Sequence, residues 1–261
     1  MFFYRFNGSM KKYLLLPIFV LALSVPAFAE TIDRAIIATD MTSVDLLVAR
    51  AAGEKVGAPV LIAENGLIGE LKAELKSLGV STVIIVGGPV VVKPEAEKEL
   101  QEYNVIRLWG IERTGTAAEV AKYFWHSSDC AVLVDDTKNS DVDTELQAPA
   151  SSLASEGKCP LIPVPSGTLP AEVLALLNDL NVSEVKIVAK VAPDTAQLAK
   201  FKLKIIAGDK KKVENEVESE IEIEAKKEGR KLKLVIVATP QWKHSLSIGA
   251  HPSERSVVRF V

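Results

Sequence analysis

Residues 35–40 read AIIATD, and ninety-six positions further on residues 131–136 read AVLVDD. Each is a short, almost unbroken apolar run that closes on an acid. A parallel strand covered by helices on both faces reads this way. The residues downstream of each run repeat as well. APVLIAENG (58–66) returns as CPLIPVPSG (159–167), and IGELKAELKSLGVSTVIIV (68–86) returns as LPAEVLALLNDLNVSEVKIV (169–188). YNVIRLWGIER (103–113) is echoed by FKLKIIAGDKK (201–211), and VIVATPQWKHSLSIGA (235–250) restarts AIIATDMTSVDLLVAR (35–50). Self-similarity at a spacing of about a hundred residues decides the architecture before any single motif does.

Between the strand-like runs lie stretches with helical spacing: SVDLLVARAAGEKVG (43–57), LIGELKAELKSLG (67–79), KPEAEKELQEY (93–103) and TAAEVAKYFW (116–125). Strand and helix in alternation predict an α/β chain of tandem three-layer αβα units with parallel sheets, Rossmann/Toprim-like, two units plus a partial third. The expected boundaries are 1–29 for a leader, 30–126 and 127–230 for the two units, and 231–261 for the fragment. About thirty residues cannot bury a sheet alone, so strand 232–238 is expected to extend the edge of another sheet.

The leader reads as a signal peptide. MKKYLLLPIFVLALSVPAFAET carries Lys11 and Lys12, an apolar run over 14–23, and Ala27-Phe28-Ala29 as a cleavage site, with Met10 as the expected start. The expected product is secreted and sits at the cell surface, with no membrane contact after cleavage. Cleavage after Ala29 removes Arg5, Lys11 and Lys12 and takes the net charge from −3 to −6. That charge, with a pI near 5.8, speaks against nucleic acid as a partner. In an exported chain, Cys130 and Cys159, each just before a strand-like run, are placed to form a disulfide; two buried free thiols are the alternative.

Four pieces in order resemble a known family: VDLLVA (44–49), APVLIA (58–63), VIIVGGPVVV (83–92) and RLWGIERTGTAAEVA (107–121). Over nearly all of 32–125 the chain is similar to the cell wall binding repeat 2 family of exported surface proteins. The later copies drift, with Ala189-Lys190 in place of Gly87-Gly88, Lys211 in place of Arg113, and Ser245 in place of an aspartate. The resemblance implies a non-catalytic module that attaches non-covalently to an anionic cell-envelope polymer, and repeats that pack together.

Ligands in open α/β sheets sit beyond the carboxyl ends of the strands. That places Asp40–Asp45, Asn65-Gly66, Gly87-Gly88 and Gly110–Arg113 on one rim, and the candidate polymer-binding residues are Asp45, Gly87, Gly88, Arg107 and Arg113. Gly87-Gly88 follows the third strand without G-x-G-x-x-G or a Walker lysine, which favours a turn over a phosphate cradle, and no cofactor is expected. An arginine at a strand end can grip an anion two-pronged, or tie adjacent units by a salt bridge; both readings stand for Arg107 and Arg113. The acidic loop 135–145 offers Asp136, Asn139, Asp141, Asp143 and Glu145 to calcium, but its spacing fits no EF-hand, and no metal is expected. His126, His244 and His251 have no catalytic partner set. The charged stretch 213–233 reads as a solvated helix laced with i,i+4 pairs. The rival readings are a small-ligand-binding or sugar-processing enzyme on a Rossmann-like sheet, and a purely structural surface protein.

Overall fold

The computed structural model describes residues 33–136, 144–167, 169–227, 229, 233–237 and 256–260. The expected leader lies outside these residues, as do Asn139, Asp141, Asp143, His244, Ser245 and His251. Among the described residues no helix is long and apolar enough to cross a membrane.

The first half runs β1 (Arg34–Thr39), α1 (Ser43–Val56), β2 (Val60–Ala63), α2 (Leu71–Leu78), β3 (Thr82–Val86), α3 (Glu95–Glu99), β4 (Asn104–Leu108) and α4 (Arg113–Phe124). Its strands form one parallel sheet in the order β2-β1-β3-β4. The second half runs β5 (Cys130–Asp136), α5 (Thr144–Gly157), β6 (Leu161–Pro165), α6 (Ala171–Asp179), β7 (Glu184–Ala189), β8 (Lys202–Ala207) and α7 (Lys210–Lys227). Its sheet has the order β6-β5-β7-β8, the same topology. Even the register recurs: Ile36 opposite Val60 becomes Val132 opposite Leu161, and Arg34 opposite Thr82 becomes Cys130 opposite Glu184. The α/β architecture expected from the repeat is the one observed.

Strand alternation explains the layers. Ile36 and Ala38 of β1 join Ile84 and Val86 of β3 in the core under α1 and α4, while Ala35, Ile37, Val83 and Ile85 join Leu71, Leu75 and Leu100 on the opposite face. Gly57, at φ 69°, ends α1 as its sequence predicts, in the left-handed conformation that glycine adopts without penalty.

The two sheets share a helical layer. α1 packs against α5, and both helices bury small side chains, Ala49 and Ala52 on one and Ala150 and Ala154 on the other. The Ser151 hydroxyl donates to the Leu47 carbonyl at 3.1 Å, satisfying a buried polar group across that seam. Trp125 buries its ring and donates from Nε1 to the Lys158 carbonyl at 2.8 Å.

Three sequence expectations change. The third helix is only Glu95–Glu99, because the chain turns as Leu100 drops into the core. The charged stretch is not solvated all round: α7 buries Val213, Val217, Ile221 and Ala225, an i,i+4 stripe among the charges, and packs beside α5. The strand expected to extend another sheet, β9 (Lys233–Val237), pairs instead in parallel with β10 (Ser256–Phe260), a separate two-stranded ribbon with β10 beside α5.

Candidate functional site at the junction of the two sheets

Gly87 has φ 129°, a backbone that side chains rarely adopt, and its N–H donates to the Leu108 carbonyl at 3.1 Å. A side chain on Gly88 would begin 3.2 Å from the Trp109 ring, so this glycine makes room for the indole. The amides of Val91 and Val92 both donate to the Gly88 carbonyl, at 3.1 and 3.0 Å. Those N–H groups close a turn and are not aimed outward at a phosphate.

Arg107 serves the same corner from β4. Its Nη1 donates to the Gly87 carbonyl at 2.9 Å and its Nε pairs with Glu97 of α3. The side chain is only 11% exposed, so its main contacts fasten the turn and α3 to the sheet edge.

Arg113 does something different. As the first residue of α4 it reaches into the second half, where Nη1 donates to Asp136 Oδ1 at 2.7 Å. Asp136 is nearly buried at the end of β5, while the arginine stays 40% exposed. Gln147 Nε2 supports the same carboxylate oxygen at 3.4 Å. One residue on, the Thr114 hydroxyl donates to the Pro163 carbonyl of β6 at 2.8 Å. The start of α4 therefore bolts one sheet to the other, the inter-unit tie that was one of the two readings of this arginine.

Asp45 completes the cluster from α1. It accepts the Thr42 hydroxyl on Oδ2 at 2.7 Å, and that oxygen lies 3.4 Å from where a side chain on Gly87 would start. Burial pushes its carboxyl above the ordinary carboxylate value; the Thr42 hydroxyl and Arg113 pull it back, and Asp136 adds to the rise. Asp45 and Gly87 thus lie side by side, and Asp45 senses the Arg113–Asp136 pair. Gly88 and Arg107 lie to the β4 side.

The sequence reading missed Thr42, Gln147 and Trp109. Asp136 appeared there only as a calcium candidate. Its position ninety-six residues after Asp40 was legible, but Asp40 accepts the Asn65 N–H at 2.8 Å, a local contact that gives no hint of a tie between sheets. Asp45 is the third residue of α1, and the third residue of α5 is Leu146, so the helix itself does not repeat the acid.

Cys130 and Cys159 form a disulfide, with Cα atoms 5.3 Å apart, joining the starts of neighbouring strands β5 and β6 as their placement predicts. Among the described residues no three His, Cys, Asp or Glu side chains gather as a metal site.

No family model matches the chain. An uncharacterised protein of Pyrococcus horikoshii is 29% identical over 171 residues, covering 63% of this chain and 50% of that protein. Another, of Pyrococcus abyssi, is 29% identical over 177 residues, covering 64% and 52%. The chain therefore spans about half the length of the curated relatives it matches. Among solved structures, Cwp6 from Clostridium difficile matches with a TM-score of 0.68 and 18% identity, over 87% of this chain and 37% of that one. Cwp8 from the same organism gives 0.64 and 19%, over 87% and 40%. At these identities the likeness is one of fold.

Proposed function

We propose that this chain is a non-catalytic module of an exported protein that attaches non-covalently to an anionic polymer of the cell envelope. The observation that carries this reading is the fold itself: the paired sheets match Cwp6 and Cwp8, both cell wall proteins, over 87% of the chain. The ordered motifs between Asp45 and Arg113 point the same way. Arg113 is the group best placed to meet a polyanion, since it keeps 40% of its surface exposed beside the start of α4, where helix N–H groups favour negative charge. Asp45, Gly87, Gly88 and Arg107 shape the rim around it.

The net charge of −3 opposes a polyanion at long range, so attraction must be local to the junction. Co-sedimentation of the full chain with isolated envelope material tests the reading. Retention at low salt that weakens as salt rises is the expected result. A chain that stays in the supernatant at low salt overturns it.

A further inference from the structure

The two sheets differ at one point of their shared topology. In the first, Thr82 pairs with Asn104, twenty-two positions on; in the second, Glu184 pairs with Lys202, eighteen on. The longer connection drops Val92, Ala96 and Leu100 into the core. It packs so closely against the connection after β2 that a side chain on Gly66 would meet the Val91 carbonyl at 2.2 Å. In the second sheet a short 3-10 turn, Ala196–Leu198, replaces α3 and buries only Leu198.

The shorter connection leaves a cavity of about 150 Å³ beyond the carboxyl ends of β5, β6 and β7. Its walls include Leu133 and Asp135 of β5, Val164 of β6, Ile187 and Ala189 of β7, and Asp194 of the connection. In the order β6-β5-β7-β8, β5 and β7 flank the place where successive connections diverge, the usual ligand position in an open parallel sheet. In the first sheet the corresponding corner is occupied by Val91 and Val92.

The polar groups have changed with the space. Thr39, the counterpart of Asp135, is fully buried and accepts the Met41 N–H at 3.1 Å. Asp135 makes no side-chain hydrogen bond or ion pair among the described residues, and it faces away from the junction because its neighbour Asp136 takes the other side of the strand. Asp194 uses Oδ1 to accept the Ala196 N–H at 2.9 Å. Among the described residues that line the cavity, an apolar floor with two carboxylates in the wall has no Lys or Arg beside it.

We infer that this cavity binds a compact organic cation, a protonated amine on a short branched hydrocarbon. A void of this size holds about six carbon-sized atoms, the scale of a benzene molecule. The hydrocarbon replaces missing core contacts, and the ammonium pairs with the half-buried Asp135 carboxylate, with the exposed Asp194 carboxylate at the mouth adding to the attraction. An anion is repelled. The site stands apart from the polymer-binding reading, since it lies in the other sheet and on the opposite face of β5 from the Arg113–Asp136 pair.

The test is a titration of the full chain, methyl-labelled at Ile, Leu and Val, with 3-methylbutan-1-amine and with its neutral isostere 3-methylbutan-1-ol, followed by NMR. The amine is expected to shift the methyls of Leu133, Val164 and Ile187 saturably, and to bind roughly tenfold or more tightly than the alcohol. The double variant Asp135→Asn, Asp194→Asn should bring the amine down to the alcohol's affinity. Ala189→Leu, which grows carbon into the space, should abolish the shifts while the methyl spectrum itself reports that the chain is folded. Equal affinity for amine and alcohol in the unaltered chain, or no saturable shift at these methyls, overturns the inference.

Discussion

Arg113 Nη1 donates to Asp136 Oδ1 over 2.7 Å, from the first residue of α4 to the last residue of β5. Asp136 stands where Asp40 stands in the first copy, yet Asp40 closes a local loop through the Asn65 N–H. One repeated acid thus does two jobs. Among the described residues, Arg113→Ala leaves a nearly buried carboxylate with Gln147 at 3.4 Å as its remaining side-chain partner. The arginine's own exposure tempers the loss, so about 1–2 kcal/mol is expected, read from the denaturant midpoint. A change under a few tenths would mean that packing and the Ser151 and Thr114 hydrogen bonds join the sheets without help from this pair.

Asp45 gives a pH signature. Its carboxyl is held above the ordinary value, first by burial, so the folded state binds a proton more tightly than the unfolded chain. Its contribution favours folding below the unfolded value, near 3.8, and fades as pH rises through the folded one. Asp45→Asn, which can still accept the Thr42 hydroxyl, should raise the melting temperature at pH 7 and make little difference below pH ~3.5. A variant that melts lower at pH 7 would show that Arg113 outweighs burial.

Lys186 is a buried cation in β7. It meets Glu224 at 2.9 Å and Glu220 at 3.7 Å on α7. Those glutamates have second partners: Lys204 sits 3.0 Å from Glu220 and Lys227 3.7 Å from Glu224. Lys186→Met keeps the volume and strands no acid, so it should cost less than about 1 kcal/mol. Lys186→Ala opens a cavity and should cost about 2–4 kcal/mol. Equal losses for the two would show that the ion pairs matter and the packing does not.

The disulfide closes a loop of 29 residues between β5 and β6. Replacing both cysteines by serine should cost about 3–4 kcal/mol in equilibrium unfolding, because the unfolded chain regains loop entropy. Loss of less than about 1 kcal/mol would mean the strands alone hold that edge.

The sheets were legible because buried parallel strands leave an unmistakable apolar run, and because the run was copied: AIIATD and AVLVDD locate β1 and β5 without further help. Gly57 marked the end of α1 for a reason visible in its letter. Arg113 was legible as an anchor but not its partner, since Asp136 resembles any acid that closes a strand and the tie depends on how the two sheets pack. The burial of α7 went unread because Val213, Val217, Ile221 and Ala225 are few and thinly spread among charges. The cavity at β5 and β7 arises from four missing residues in one connection, a difference that becomes visible only once the strands are paired.

Whether the junction arginine faces an anionic envelope polymer is decided by a pair of variants. Salt-dependent retention on isolated envelope material is measured for Arg113→Ala and for Asp136→Asn, each beside its melting temperature. Arg113→Ala is expected to lose most retention, while Asp136→Asn, which releases the guanidinium from its partner, should be retained at least as well as the unaltered chain. Retention that is identical in all three, or that simply tracks their melting temperatures, would remove the arginine from any role in attachment.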